Sequence, residues 1–298
     1  MIDEGGVVFG ARFDAQWQVR IDYSDTKDGL SVFRGSKYIQ ARTGDSFIRC
    51  EQFLKEGRKV LFSGTPCQIA GLKHYLRKEY DNLLTVDVVC HGVPSPKVWR
   101  MYLDEVIGIA NVRDVSMRDK VKCRQGYHFT VRYDVGGMSL ILSSPKDKND
   151  YMAAFLNDMI LRPACYQCKA RDLRSNSDIT LGDYWGIDSV CPEMDDHKGI
   201  CLVLVNTEKG KNALDSKCLR FEETTFEEGR QSNPSIYRSP QPWFRRQQFF
   251  ENLDTCHSVI DNIRECLRTT FRMRVEDIYY KLMSLPSRVL RKLCRICR

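Results

Sequence analysis

A strand–helix–strand unit between Val60 and Pro96 constrains the fold more than any other part of this chain. The apolar run Val60–Ser63 stops at Gly64-Thr65-Pro66, apolar residues at helical spacing follow, and a second apolar run occupies Leu84–Val89. This order and length are those of a βαβ crossover, which requires two parallel strands buried under helices. We therefore predict an α/β protein with a parallel core.

A cysteine follows each of these two strands. Cys67 and Cys90 both lie where ligands of parallel sheets bind, beyond the carboxyl ends of the strands. Thr65 is suited to cap the helix and Pro66 to take its first position, which leaves Cys67 in the first turn, where the helix dipole favours a thiolate. Thiolates bind metals, so the two cysteines predict a metal site. The alternative is that both are small buried hydrophobic residues.

A Cys-x-x-Cys pair, Cys165 and Cys168, follows in a polar loop. Zinc sites, iron–sulfur sites and redox dithiols all use this spacing, so the pair alone does not identify the metal. Together with Cys67 and Cys90 it provides four thiols, the usual complement of a 4Fe-4S cluster. A second pair, Cys294 and Cys297, lies among basic residues at the end of the sequence and is interpreted as a coincidence.

Residues 112–144 alternate between apolar and polar side chains on either side of Gly136-Gly137, which predicts an antiparallel hairpin added to the parallel unit. Its His128 and Cys123 are interpreted as structural. The predicted fold class is thus α/β, a mixed sheet with a parallel βαβ core and an added antiparallel hairpin, followed by a helical C-terminal extension.

Two short polar turns are weaker candidates for binding. The turn Ser36-Lys37-Tyr38 can present backbone N–H groups to a phosphate, although such turns are also common as solvated loops. Asp195-Asp196-His197 offers metal-binding groups, but an exposed acidic turn is the preferred interpretation.

We expect a cytoplasmic protein. No run of about 18 apolar residues exists, and the first residues lack the charged-then-apolar order of a signal peptide. Cytosolic thiols are kept reduced, so the thirteen cysteines favour metal binding or redox work over a disulfide framework.

The charge of the chain is concentrated at one end. Residues 264–298 contain ten Lys/Arg against three Asp/Glu, which accounts for the entire net charge of +7 and argues against a nucleic-acid-binding core. Residues 226–242 have the composition of a linker. We therefore predict a domain over residues 1–240 and a basic helical tail over 241–298.

The tail is amphipathic around Val275–Leu282 and Val289–Leu293. Three interpretations stay open: a helix lying on an anionic membrane surface, a docking helix for an acidic partner, and a helix packed on its own domain.

Several motifs in this order resemble the coenzyme F420 hydrogenase/dehydrogenase beta-subunit family. They are Phe62-Ser63-Gly64-Thr65-Pro66-Cys67-Gln68-Ile69-Ala70-Gly71-Leu72, Val89-Cys90-His91-Gly92-Val93-Pro94-Ser95, Arg162-Pro163-x-Cys165-x-x-Cys168 and Asp178-Ile179-Thr180-Leu181-Gly182-Asp183-x-Trp185-Gly186. Weaker family segments extend the resemblance over nearly everything up to about Thr225.

The resemblance implies an oxidoreductase that passes electrons between a 4Fe-4S cluster, FAD and a soluble cofactor such as coenzyme F420 or an organic substrate. It implies that the cluster ligands are Cys67, Cys90, Cys165 and Cys168. It also implies that the flavin is lined by Ser36, Lys37, Tyr38, Gly64, Thr65, His91 and Gly92. The flavin would carry the hydride chemistry, while the protein positions it.

Many members of the family also carry an upstream ferredoxin-like segment and a small-residue flavin segment, and neither is found in this sequence. We therefore expect a redox partner protein, such as a separate ferredoxin. The alternative function is a non-catalytic metal-binding or accessory electron-transfer subunit that has lost flavin binding.

Overall fold

The computed structural model describes residues 1–120, 126–214 and 219–269, and their strands form two sheets. The strands are β1 (Val7–Phe13), β2 (Val19–Ser24), β3 (Val60–Gly64), β4 (Leu83–Val88), β5 (Val112–Asp119), β6 (His128–Val135), β7 (Met138–Pro145), β8 (Ile179–Asp183) and β9 (Cys201–Val205). The α-helices are α1 (Ser46–Lys55), α2 (Pro66–Leu76), α3 (Pro96–Ile107), α4 (Asp150–Leu156), α5 (Ile187–Val190), α6 (Glu208–Ala213), α7 (Phe226–Gln231), α8 (Arg246–Asn252) and α9 (Val259–Leu267).

The six-stranded sheet has the order β2-β1-β3-β4-β8-β9 and confirms the predicted βαβ unit. The strands β3 and β4 are parallel, from Val60 opposite Leu83 to Gly64 opposite Asp87, and α2 connects them. The strands β1 and β8 extend the parallel core on its two sides, while β2 and β9 are antiparallel at the edges. The α/β class with a mixed sheet is therefore confirmed.

The start of α2 follows from its sequence. Pro66 takes the first helical position, where its missing N–H costs nothing, and the Gln68 side chain accepts a hydrogen bond of 2.9 Å from the Thr65 N–H. Ile69 and Leu72 on the inner face of the helix are fully buried against Phe62 of β3. Together these contacts hold the first turn of α2 at the carboxyl edge of the sheet.

The predicted hairpin is present as β6 and β7, joined by Gly136 and Gly137, which both have positive φ. It pairs with β5 as a separate three-stranded sheet instead of extending the parallel one. The apolar side chains of this second sheet, such as Phe129, pack against Trp99 of α3 and Tyr151 of α4. A second core thus forms between the hairpin sheet and these helices.

The interpretation of residues 226–242 as a linker is wrong. This segment contains α7 and a 3-10 turn at Pro234–Ile236, and Ile236 is only 5% exposed. Polar and proline-rich composition predicted a solvated segment, but the few apolar side chains in it find a place in the core.

The helix α9 packs on α3 and α4, and α8 packs on α9, with Phe249 and Ile263 fully buried. The predicted amphipathic segments from Val275 onward lie outside the described residues, as do Cys123, Cys294 and Cys297. Across residues 1–120, 126–214 and 219–269, no helix combines the length and the apolar character needed to cross a membrane.

Candidate functional site

The carboxyl ends of β3 and β4 form one side of the candidate site. Cys67 lies in the first turn of α2, directly after β3, and Cys90 lies two residues after β4. Because β3 and β4 are parallel neighbours, the two cysteines emerge at the same edge of the sheet.

The Cys-x-x-Cys loop reaches this edge through backbone pairing. Leu161 forms a bridge with Pro94, and the Arg162 N–H donates to the Val93 carbonyl at 2.9 Å. The chain then turns, and the Cys165 sulfur accepts a hydrogen bond from the Val93 N–H at 3.5 Å. The loop after β4 therefore holds Cys165 beside Cys90.

All four predicted cysteines line the same pocket. Burial, followed by the neighbouring thiols of Cys67 and Cys165, raises the pKa of Cys90 to about 12. Burial also raises the pKa of Cys165. At neutral pH the metal-free protein therefore keeps these two thiols protonated, and metal binding would release their protons.

The donor set fits a thiolate-bound metal group. Four sulfurs converge from three separate segments, and the N–H···S bond to Cys165 is of the kind that tunes cysteine-bound clusters. Within the described residues, no three His, Cys, Asp or Glu side chains are arranged closely enough to hold one single ion.

Residues that the sequence did not single out complete the pocket. The Cys168 N–H donates to the Ser239 hydroxyl at 3.2 Å, and the Asp172 N–H donates to the Ile236 carbonyl at 2.8 Å. The segment containing Ser235 and Ile236 thereby covers the Cys-x-x-Cys loop. Arg171 also lines the pocket. No motif marked these residues, because only the tertiary fold brings them to the cysteines.

Two buried aspartates, Asp87 in the pocket wall and Asp178 just before β8, have opposite electrostatics. Asp178, just before β8, accepts hydrogen bonds of 2.7–2.8 Å from the Thr85 N–H, the Thr85 hydroxyl and the Thr207 hydroxyl. Burial opposes ionisation of Asp178, but these bonds outweigh it and hold its pKa below the ordinary value. Asp87 of β4 is 1% exposed, and burial raises its pKa against the hydrogen bond from Ser175.

We expect Asp178→Asn and Asp87→Asn to change stability in opposite directions at pH 7. The pKa of Asp178 is lower in the folded chain, so its contribution is present above about pH 4 and is lost as pH falls through the folded pKa. Losing these bonds to a charged acceptor should cost about 1.5–3 kcal/mol. The pKa of Asp87 is higher in the folded chain, so ionisation costs stability as pH rises. A neutral amide should remove that cost.

Urea unfolding of the metal-free, reduced protein at pH 5 and pH 7 measures both effects. The midpoint should fall for Asp178→Asn and rise for Asp87→Asn, with the rise larger at pH 7. Two shifts of the same sign would contradict the assignment of these two charges.

The predicted flavin loops lie near the same edge, and aromatic contacts connect two of them. Tyr38 stacks on Phe155 with ring centroids 4.8 Å apart, and His91 meets Phe155 edge-on with ring centroids 5.3 Å apart. His91 Nε2 lies 2.6 Å from an Asp158 carboxylate oxygen. The turns at Ser36–Tyr38 and His91-Gly92 are thus brought together around Phe155, which the sequence did not single out.

Lys37 is directed at its own loop. Its ammonium group donates to the carbonyls of Phe33, Arg34 and Gly35 at 3.4, 2.9 and 3.1 Å, and burial lowers the pKa of Lys37 to about 8. Lys37 therefore holds the turn in shape. Gly64 and Thr65 lie at the carboxyl end of β3, next to Cys67.

Two minor candidates have structural surroundings. His197 is an 83%-exposed side chain in a turn with Asp195, 3.3 Å away, in agreement with the exposed acidic turn that we preferred. His128 Nδ1 lies 3.1 Å from the Ser143 hydroxyl across the hairpin, in agreement with its structural interpretation.

Fold and site together define an α/β protein with a four-cysteine pocket at the carboxyl edge of a parallel sheet. The family model for the C-terminal region of the beta subunit of coenzyme F420 hydrogenase/dehydrogenase matches residues 57–228. The chain belongs to this family, and the resemblance stated from its motifs is confirmed.

Among solved structures, the chain is similar to one described as the xenon-derivatised F420-reducing [NiFe] hydrogenase complex from Methanosarcina barkeri. The two are 18% identical, the match covers 71% of this chain and 66% of that chain, and the TM-score is 0.44. A comparison with curated protein sequences finds no significant match.

Proposed function

We propose that this protein is an iron–sulfur flavoprotein oxidoreductase. It passes electrons between a 4Fe-4S cluster, FAD and a soluble cofactor or organic substrate, with coenzyme F420-type chemistry. The observation that carries the proposal is the convergence of Cys67, Cys90, Cys165 and Cys168 on one pocket, in a chain of this family.

The origin of the cysteines favours a cluster over a structural zinc ion. Zinc knuckles usually take their ligands from paired Cys-x-x-Cys turns. Here only Cys165 and Cys168 are such a pair, while Cys67 and Cys90 come singly from the ends of two strands.

The flavin would lie beside this pocket, against the half-buried Tyr38 and His91, which pack on the buried Phe155. Bound FAD supplies the hydride and single-electron chemistry. The protein's own contribution is to orient its ring against these aromatic side chains and to keep the His91 imidazole in place through Asp158. Backbone N–H groups of the turn Ser36–Tyr38 and of the first turn of α2 would face its phosphates.

Elemental analysis of anaerobically purified protein tests the proposal. A brown protein that contains about four iron and four sulfide ions per chain supports one 4Fe-4S cluster. Zinc without sulfide would overturn it and favour the alternative, an accessory metal-binding subunit that has lost flavin binding.

We expect Lys37→Ala to weaken FAD binding by at least about tenfold, because charged hydrogen bonds contribute about 1.5–3 kcal/mol. The loss would come from a loosened turn, because the three N–H groups of the Lys37 ammonium donate to carbonyls of that turn. Since the pKa of Lys37 is lowered to about 8, the affinity of the unaltered protein should fall as pH rises through about 8, while that of the variant stays flat. Quenching of FAD fluorescence measures the affinity of the unaltered protein and of the variant at each pH.

Lys59→Ala is the matched control, since Lys59 is an exposed lysine paired with Glu4. FAD binding by both variants with equal affinity would remove Lys37 from the flavin site. No FAD binding by the unaltered protein would confine the redox role to the cluster.

We further propose that the electrons are exchanged with a partner protein, such as a separate ferredoxin, in the cytoplasm. Reduced thiols and a cysteine-bound cluster suit that compartment.

A further inference from the structure

Arg171 is a buried cation at the wall of the four-cysteine pocket. It is 7% exposed and follows Cys168 by three residues. Its guanidinium donates one hydrogen bond to the His91 carbonyl at 2.7 Å and another to the Ser235 carbonyl. The Nε atom is buried and has no hydrogen-bond partner among the described residues.

No carboxylate of the described residues forms an ion pair with Arg171. Both of its hydrogen-bonded partners are neutral carbonyls, and no ion pair within 4.0 Å is found for it in the part of the chain that the structure describes. A buried charge without a counter-charge is costly, so such groups are normally paired. The ionisable groups that share the pocket with it are the four thiols, the buried Asp87 and the exposed Asp172, and neither carboxylate forms an ion pair with it.

A metal group bound by these thiols would supply the missing negative charge. Four thiolates around a divalent ion, or around a doubly charged iron–sulfur core, leave the whole group with a net negative charge. Reduction of an iron–sulfur cluster by one electron makes that charge more negative.

Arg171 also connects the parts of the pocket. Its two hydrogen bonds join the residue after Cys90 to the covering segment at Ser235, and its backbone belongs to the loop of Cys168. A single residue thereby connects three of the segments around the cysteines.

We propose that Arg171 is the charge-compensating and positioning residue of the cysteine-bound metal group, and that its positive charge favours the reduced state of that group. This inference rests on the proposed function, because it assigns a tuning role at the same site.

The test compares Arg171→Gln, which keeps a hydrogen-bond donor without the charge, with Arg171→Lys, which keeps the charge. The midpoint potential of the bound cluster is measured in the full chain by spectroelectrochemistry. Arg171→Gln should lower the equilibrium constant for one-electron reduction at least tenfold, a shift of about 59 mV to more negative potential. Arg171→Lys should keep a midpoint potential close to that of the unaltered protein.

Arg174→Gln is the matched control, since Arg174 is exposed on the same loop. It should leave the potential unchanged. Equal potentials for Arg171→Gln and the unaltered protein would overturn the proposal. So would equal effects of Arg171→Gln and Arg171→Lys, which indicate a purely structural residue.

A second measurement separates this inference from the proposed function. If the purified protein contains zinc instead of iron and sulfide, the proposed function fails, and the same variants are compared for the rate of zinc loss to a chelator. Arg171→Gln should then lose zinc at least about tenfold faster than Arg171→Lys. Equal rates, or a protein that binds no metal through these thiols, would overturn the role of Arg171.

Discussion

Replacing Cys165 or Cys168 with serine is expected to abolish the brown colour of the anaerobically purified protein. Both residues line the pocket with Cys67 and Cys90, and one loop carries them to the end of β4. A serine hydroxyl stays protonated near neutral pH and is a hard ligand, whereas iron–sulfur clusters are held by soft thiolates. Each single replacement should therefore reduce bound iron and sulfide to background.

Visible absorbance together with iron and sulfide content measures this loss. Cys201→Ser is the matched control, because Cys201 is an exposed cysteine of β9 that does not line the pocket. The same replacements at Cys67 and Cys90 should also remove the cluster. Retention of full iron and sulfide in any of these four variants would exclude that cysteine from the ligand set.

The second large effect is expected from Trp99→Ala, which should lower the free energy of unfolding by about 3–5 kcal/mol. Trp99 is fully buried at the centre of the core between α3, α4 and the hairpin sheet. Its ring lies 5.2 Å from that of Tyr151 and 6.2 Å from that of Phe129, and its Nε1–H donates to the Trp17 carbonyl at 2.7 Å. Alanine leaves a cavity and removes the hydrogen bond.

Trp99→Phe separates these two contributions. It keeps most of the ring contacts but leaves the Trp17 carbonyl without its donor, so it should cost only about 1–3 kcal/mol. Urea unfolding of both variants, with the dependence on urea concentration fitted for each, gives the comparison. A loss below about 1 kcal/mol for Trp99→Ala would show that Trp99 does not hold α3 and α4 to the hairpin sheet.

Local patterns in the sequence were sufficient to predict the central part of the fold. The strand–helix–strand order, the start of α2 at Thr65-Pro66 and the hairpin around Gly136-Gly137 all agree with the structure. Each depends on neighbours within a few residues, where backbone geometry and apolar periodicity act directly.

The prediction that failed depended on composition over a longer range. Residues 226–242 look like a linker because polar residues and proline dominate them, yet Ile236 is buried and the segment covers the cysteine loop. Average polarity does not tell which few side chains reach a core.

The sequence by itself determined which cysteines were candidates, because strand ends and the Cys-x-x-Cys spacing are local features. Only the tertiary structure decided that Cys165 pairs with the loop after β4, that Lys37 is directed at its own carbonyls and that Arg171 lies buried beside four thiols. It also decided the opposite pKa shifts of Asp87 and Asp178. The physical reason is that burial and hydrogen bonding between distant segments set the energy of a charge, and no residue type or spacing encodes them.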